Sequence, residues 1–589
     1  MTTYERDART LELPWPFTGR EDELELVRRS SVTGRQGVVV TGPAGTGKTR
    51  LITEAVRGTD CVRVTGTPET SALPFAAFAH LLSDRVSLPG AVRHLSGVRL
   101  LVVDDAHLLD EASAALVHQL AVHGRTRLVV AAATGTAPVP GAVSRLWTGE
   151  LLTHLALEPL PYDETAALLA GAGLEPLTVR RLHRVCRGDL RLLRDLLGAL
   201  RESGPLTRVP DTGEWAWRGP LPLTATVRDR IAALLDGRGP GERDTLERLA
   251  FAEPLPLRLG PGLDDALGLD DALDLAVLER LETDGLIHAD DRGAVRLAHP
   301  LHGPALRASA GRLRSRRLAS TPEQCEPALK DEQEQLAERI ERLDVREVPA
   351  PVGEWLAAGD LPVPAGYAAV RARYSWLRGE LREAAAWARE GLRAAPGDAS
   401  CGTELARAAA EWGDGAVVRG DGGLAHYGPV RLGEPEGAAR AVERLDGVLA
   451  QHAEALARGA GPALDRAAEA LAGRGLLLFA AEAHAQAVRV HRDPRAARMS
   501  RTRAVALARR CQGARTPALS GLVLGELTAR QRQIVTLAAA GLSNRQIAEQ
   551  LTLSVRTVGN HLYGAYTRLG ASDRAALPWL TEQPDRRSA

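Results

Sequence analysis

The chain has 589 residues, 44% of them hydrophobic and 25% charged, with 74 basic residues balancing 74 acidic ones. That composition describes a soluble globular chain with room for about three to five domains, and it excludes a disordered or low-complexity polymer. No apolar run approaches the roughly 18 residues of a membrane span, and the charged first ten residues lack the apolar core of a signal peptide, so a cytoplasmic chain with no membrane partner is expected. Five scattered cysteines (Cys61, Cys186, Cys325, Cys401, Cys511) without C-x-x-C spacing point to free thiols rather than a disulfide framework or a zinc site.

The first element with chemical content begins at Gly37, where an apolar run to Thr41 reads as a buried strand. It leads into Gly42-Pro43-Ala44-Gly45-Thr46-Gly47-Lys48-Thr49, after which a helical pattern runs to Val56. Only Lys48 and Lys330 among the 74 basic residues are lysine, so a lysine placed in G-x-x-x-x-G-K-[ST] between strand and helix is a strong signal. Gly42, Gly45 and Gly47 let the backbone wrap around phosphates. Lys48 reaches the β and γ oxygens, and the Thr49 hydroxyl ligates Mg2+.

A second buried strand, Arg99 to Val103, ends in Asp104-Asp105. A carboxylate pair at a strand's C-terminal end beside a phosphate loop suits Mg2+ binding by Asp104 and polarisation of an attacking water by Asp105. A third strand, Arg127–Ala133, ends at Thr134, a polar residue placed to sense a γ-phosphate. Between Leu221 and Leu306 a helix, a turn at Gly285, a short strand, a turn and a second strand ending near His299 predict a winged-helix unit.

From about Gly311 to Pro517 helix follows helix. Leu377, Leu381, Ala384, Ala388 and Leu392 keep near-helical spacing around a turn at Gly379, as in a tetratricopeptide unit, and Arg419 to Pro435 reads as a Gly-rich interruption. No residue there names a signal.

The end of the chain is basic: from Arg495 to Ala589 there are 15 arginines and 5 acids, a difference of 15 − 5 = +10. Three short helices are expected, the second capped by Ser543-Asn544, with its first turn and Arg545 facing a phosphate. In the third, Val555, Val558, Leu562, Ala565 and Leu569 form the core face. Arg556, Asn560 and Tyr563 share another face, where a guanidinium can pair with guanine, an amide with adenine and a phenol with base or phosphate. Thr557 and His561 flank that face and grip the backbone. The order of helices is that of a helix-turn-helix.

These motifs resemble the signal-transducing ATPases with numerous domains, and more closely the large ATP-binding LuxR-type regulators. Phe17-Thr18-Gly19-Arg20-Glu21 is similar to their entry motif, which implies an adenine-side contact for Arg20; the resemblance likewise implies that His299, on the winged helix, touches the phosphates of bound ADP. The chain departs from the pattern at Gly135, where the family often has arginine, and at Gly188-Asp189-Leu190, where it has Gly-Asn-Pro. Leu527-Thr528, Gly541 to Asn544, Ile547-Ala548, Thr557-Val558, His561 and Arg568-Leu569-Gly570 resemble the LuxR-type DNA-binding domain, with Gln531 and Gly559 as departures and Ser572 to Leu580 matching a helix that supports dimerisation in relatives.

The expected fold is thus multidomain α/β plus α: a P-loop NTPase domain with a helical lid (1–200), a winged-helix-like domain (201–310), a degenerate tetratricopeptide-like helical region (311–520) and a LuxR-type helix-turn-helix (521–589). The expected function is an ATP- and Mg2+-binding transcriptional regulator, an activator switched by ATP and ADP, that self-associates on promoter duplex DNA and meets RNA polymerase. Any ATP hydrolysis is expected to be slow and regulatory; the alternatives are a DNA-binding regulator whose nucleotide fold is only a scaffold, and a protein that is primarily an ATPase and is merely localised by its basic tail.

Overall fold

The structure is a computed structural model. It describes residues 17, 20–31, 37–82, 87–135, 139–203, 206–255, 257–258, 274–290, 294–414, 424–520, 522, 529–539, 541–551 and 553–569. The chain divides into two compact units, 1–253 with 257–318 and 254–256 with 319–589.

The first unit is built on a parallel sheet of β1 (Gly37–Gly42), β2 (Val62–Thr65), β3 (Leu100–Asp104), β4 (Arg127–Ala133) and β5 (Thr153–Ala156), in the order β2-β3-β4-β1-β5. Continuous apolar runs make β1 and β4 because helices cover both faces, so neither side needs polar residues. Alternation then distributes the side chains: Val39, Leu101, Val103 and Val130 pack on one face with Leu116 and Leu120. Val38, Val40, Val102 and Val129 pack on the other with Leu51, Ile52 and Val27. The register sets Gly42 beside Ala133, so the loop after β1 and the end of β4 share one edge of the sheet.

Helices Tyr162–Leu169, Pro176–Cys186 and Leu190–Ser203 form a lid with the antiparallel hairpin β6 (Leu206–Arg208) and β7 (Trp215–Trp217). Its core holds the fully buried Trp217, over which Arg181 stacks at 3.6 Å. Helices Ala225–Leu235, Pro240–Ala252 and Leu275–Thr283 then accompany an antiparallel sheet of β8 (Leu257–Arg258), which comes before the third helix, and β9 (Ile287–Ala289) and β10 (Ala294–Leu297), which follow it, in the order β8-β10-β9. This is the winged-helix arrangement expected from the sequence, with one strand added by β8. Leu301 and Ala305 of the segment after β10 join the lid core, which fastens wing to lid.

The second unit is helical from Pro322–Glu341 to Pro494–Arg510. Helices Ala365–Leu377 and Leu381–Ala394 turn back on each other at Gly379, whose φ of +81° and close approach to Cys511 and Leu478 leave no room for a side chain. The expected interruption at 419–435 is shorter in the structure. Helix Gly428–Leu432 forms inside it, started by Pro429, and Pro435 starts another; proline at a first helical turn loses no hydrogen bond, so composition alone misleads there. Residues 415–423 lie outside the described residues.

Three helices, Ala529–Ala539, Asn544–Leu551 and Val555–Leu569, enclose Ile534, Val535, Ala538, Ile547, Ala548, Val558, Leu562 and Ala565. Val555, expected in that core, is instead 51% exposed. It is the first residue of its helix and lies before the turn that reaches the other two. The side chain of Leu569 is outside the described residues, as are Leu527, Thr528 and the segment Ser572 to Leu580.

Candidate functional sites at the two ends of the chain

The loop after β1 turns through Gly45 and Gly47, at φ +81° and +91°, before helix Lys48–Ala55 begins. Lys48 is buried, and its ammonium donates to the carbonyls of Gly42 at 2.9 Å and Pro43 at 2.7 Å. Burial lowers its pKa, against the attraction of Asp105 and Asp104. The Thr49 hydroxyl donates to Asp104 Oδ1 at 3.1 Å, and the Asp105 amide donates to the same oxygen at 3.0 Å. Burial, with the neighbouring Asp105 charge, raises the Asp104 pKa in spite of these bonds. Asp105 stands in the left-handed region at φ +46°. Thr134 lies at the start of the loop, its amide donating to Gly42 O at 3.1 Å.

His107 was not singled out from the sequence. Its Nδ1 accepts the Ala133 amide at 3.2 Å, which fixes the ring against the end of β4, and lies 4.0 Å from Asp105 Oδ1. Accepting at Nδ1 puts the proton of the neutral ring on Nε2, and burial lowers the pKa in keeping with a neutral ring.

The lid reaches the loop through Gly188-Asp189-Leu190. The Leu190 amide donates to Gly45 O at 3.0 Å, while Asp189 Oδ1 accepts from the amides of Arg191 at 2.9 Å and Leu192 at 3.1 Å, capping helix Leu190–Ser203. A side chain on Gly45 would stand 2.1 Å from that oxygen. The other Asp189 oxygen pairs with Arg230 of the winged-helix unit. From the sequence Asp189 stands out only as a departure from Gly-Asn-Pro, and nothing there points to Arg230, 41 residues on.

His299 accepts the Leu301 amide at Nδ1, 3.1 Å away, and its ring centroid lies 5.2 Å from that of His302. Burial first, then His302, Arg187 and Arg230, lower its pKa to about 4. His299 therefore shares the electrostatic neighbourhood of Asp189, the residue that meets the phosphate loop. Arg20 is buried; it pairs with Glu23 at 3.1 Å and donates to the carbonyl of Glu158 just beyond β5. Thr18 and Gly19 lie outside the described residues.

At the other end, Ser543 caps the second helix: the Gln546 amide donates to Ser543 Oγ at 3.4 Å, and Gln546 Oε1 accepts the Ser543 amide at 2.8 Å. Asn544, expected to share the cap, is the first helical residue. Arg545 is exposed and pairs with Glu549 one turn on, at 3.3 Å. Ser554 caps the third helix by accepting the Thr557 amide at 3.0 Å, and the two hydroxyls lie 2.7 Å apart. Asn560 is exposed, Tyr563 is 71% exposed, and Thr557 and His561 are half-buried. The side chain of Arg556 is outside the described residues.

Among the described residues no helix is long and apolar enough to cross a membrane, and no group of three or more His, Cys, Asp or Glu side chains is placed to hold a metal.

Comparison with known proteins gives the following. Residues 525–579 match the model of the family "Bacterial regulatory proteins, luxR family". A protein of Mycobacterium bovis, named as an HTH-type transcriptional regulator, is 41% identical over 81 residues, 14% of this chain and 9% of that protein. YhjB of Escherichia coli, named likewise, is 47% identical over 51 residues, 9% of this chain and 26% of that protein. The chain thus spans a small part of the curated relatives it matches. Among solved structures, a signal transduction ATPase with numerous domains and a tetratricopeptide repeat sensor, from Pyrococcus horikoshii, overlaps 96% of this chain and 80% of its own at 14% identity and a TM-score of 0.25. A Walker-type ATPase of Pyrococcus abyssi overlaps 51% of this chain and 99% of its own at 14% identity and a TM-score of 0.30. The segment match, together with three helices closed around Val558 and Leu562, identifies residues 525–579 as a LuxR-family helix-turn-helix domain of a transcriptional regulator, carried on a chain whose first unit has the P-loop fold.

Proposed function

We propose that the protein is a cytoplasmic, ATP-responsive and sequence-specific transcriptional activator of the large ATP-binding LuxR group. The observation that supports this best is the joining, in one chain, of a LuxR-type DNA-binding domain and a glycine loop whose Lys48 is buried and whose Thr49 hydroxyl is bonded to Asp104.

The residues fit the ligand. Among the described residues the buried Lys48 ammonium bonds only loop carbonyls and would have one more N–H to offer a phosphate oxygen, and the adjacent Thr49 and Asp104 oxygens would hold a divalent cation. When bound, Mg2+ neutralises charge on the β and γ oxygens. Lys48 then orients the phosphates, Asp105 takes a proton from an aligned water, and Thr134 meets the γ-phosphate from β4. Arg20 acts on the adenine side, and His299 on the phosphates of ADP. At the output end Ser543, Asn544 and Arg545 engage phosphate, Arg556, Asn560 and Tyr563 read bases, and Thr557 and His561 hold the backbone.

ATP favours an open, self-associating state and ADP a closed one latched by the winged helix. Self-association then places two DNA-binding domains on paired half-sites beside RNA polymerase. The resemblance to the large ATP-binding LuxR-type regulators implies a specialised-metabolite gene cluster as the target. Selection of bound sequences from random duplex DNA by the full-length protein tests this. A paired motif enriched with a non-hydrolysable ATP analogue, but not with ADP, is the expected result. Lys48→Ala that leaves nucleotide binding and promoter activation intact refutes the switch.

One observation favours a second reading, a regulator that uses the nucleotide fold only as a scaffold. Leu190, Asp189 and Arg230 already join loop, lid and winged helix by protein bonds alone. The same motif selected with ATP analogue, ADP and no nucleotide would establish it.

A further inference from the structure

Arginine is common throughout this chain, yet its balance with acid changes abruptly at the last helix of the second unit's helical array. From Ala319 to Asp493 there are 20 basic and 28 acidic residues, a balance of 20 − 28 = −8, whereas helix Pro494–Arg510 holds six arginines and no acid. Exposed arginines earlier in the array meet a carboxylate one turn away in their own helix, as Arg342 meets Glu338 and Arg458 meets Glu454. Helix Pro494–Arg510 contains no such carboxylate, and Asp493 before it is engaged in capping the amides of Arg495 and Ala496. The inner face buries Ser500, Ala504 and Val505, and Ser500 fastens it by donating to Asp465 at 2.8 Å. The outer face presents Arg495, Arg498, Arg503, Arg509 and Arg510, all exposed, of which Arg503 is answered by Glu469 at 2.6 Å. Arg495, Arg498 and Arg501 follow at intervals of three, a spacing at which like charges repel along a helix. A polyanion laid along the outer face relieves that repulsion.

The face runs about 22 Å, a length over which duplex DNA carries on the order of a dozen phosphates. Met499 is the one large apolar side chain this helix exposes, too little to enter a bilayer. DNA is also within range. Beyond the helix the chain is held on the array as far as Ala518, where Arg489 donates to the carbonyls of Pro517 at 3.3 Å and Ala518 at 3.2 Å. The first helix of the DNA-binding domain begins at Ala529, so the connecting chain spans at most about 40 Å when fully extended. That is close to one turn of duplex, and DNA continuing a turn or two past the reader's site lies within the array's range.

We propose that the outer face of helix Pro494–Arg510 is a second DNA-binding surface, gripping phosphates of the duplex that flanks the site read by the LuxR-type domain. This rests on the reading of residues 525–579 as a DNA reader. Such contacts carry no sequence information; they add affinity and fix the orientation of the array on the duplex.

The test measures binding of the full-length protein to two duplexes, under the nucleotide condition that enriches a motif from random DNA. One duplex is that motif trimmed to its ends, and the other extends it by about 20 base pairs of arbitrary sequence on each side. One variant combines Arg495→Gln, Arg498→Gln, Arg509→Gln and Arg510→Gln; a companion places Lys at the same four positions, and each is melted thermally. All four side chains are exposed, so both variants should melt close to the wild type. The wild type is expected to bind the long duplex roughly 10-fold more tightly than the short one, with a log–log salt slope steeper by about 3 to 4. The fourfold Arg→Gln variant should bind the short duplex as the wild type does and lose the gain, while the Arg→Lys companion, which keeps the charges, retains most of it. Where the fourfold change disturbs folding, Arg495→Gln and Arg509→Gln singly should each take about 0.9 from the slope. A wild type with no gain from flanking DNA, or a folded Arg→Gln variant that keeps the gain, overturns this proposal alone. Binding of the wild type to phosphatidylserine vesicles through the same arginines, with no gain from flanking DNA, overturns it in favour of a lipid surface. A wild type that enriches no motif and binds neither duplex overturns the reading of the last domain and this proposal with it.

Discussion

Arg431 shows what one residue does in the second unit. It is buried between two carboxylates, bonded to Glu482 at 2.8 Å through Nε and Nη2 and to Glu411 at 2.5 Å, while Glu411 accepts the Trp376 indole N–H at 3.0 Å. Removing the cation leaves two buried carboxylates facing each other. Arg431→Met is therefore expected to lower the stability of this unit by about 3–5 kcal/mol in denaturant titration. Beside it, His452 bonds Tyr427 at 2.6 Å and Gln486 at 2.8 Å. Burial, helped by the Arg431 charge, lowers its pKa from 6.5 to about 4. The unfolded chain thus binds this proton more readily than the folded one. Its contribution to stability is full above about pH 6.5, falls as the pH drops, and is lost by about pH 4, a change of about 3 kcal/mol in the window. His452→Gln should flatten the dependence of melting temperature on pH between those limits. Lys48 could be read from the sequence because lysine is rare and its motif is local. Arg431 could not, since its partners lie 20 and 51 residues away and arginine is abundant throughout.

Among the elements, the third helix of the DNA-binding domain separates structure from recognition. Leu562 is buried in the three-helix core, while Asn560 is exposed on the other face. Leu562→Ala is expected to cost about 2–5 kcal/mol and to unfold a domain this small, abolishing DNA binding in a shift assay. Asn560→Ala should leave the melting curve in place and weaken binding to the selected duplex by about 1–3 kcal/mol, mostly at one base pair. Periodicity made this helix, β1 and the paired helices around Gly379 legible. It missed what depends on contact: Val555 keeps the helical spacing yet starts its helix out of reach of the core, and β8 is only two residues long and exists because β10 offers it an edge. Within the first unit the glycine loop and the strand ending in Asp104-Asp105 were readable, whereas His107, Asp189 and Arg230 acquire meaning only once β4, lid and winged helix are folded against them.

The whole molecule comprises two units, each with buried side chains of its own. A fragment of residues 1–318 is expected to bind MgATP with an affinity close to that of the full chain; a calorimetric titration of the fragment checks it. The charge excess of +10 after Arg495 predicts DNA binding that weakens steeply with salt, with a log–log slope of about −0.9 for each phosphate contacted, so operator affinity should be measured across salt concentrations. Gly45 carries one consequence through the whole first unit. Here the missing carbon is the clearance into which the Asp189 carboxylate fits, and from Asp189 the contact continues to Arg230. A Gly45→Ala chain would thus act as if a doorstop had been set beneath the lid, so that ligand affinity and domain closure are inherited together in a single codon.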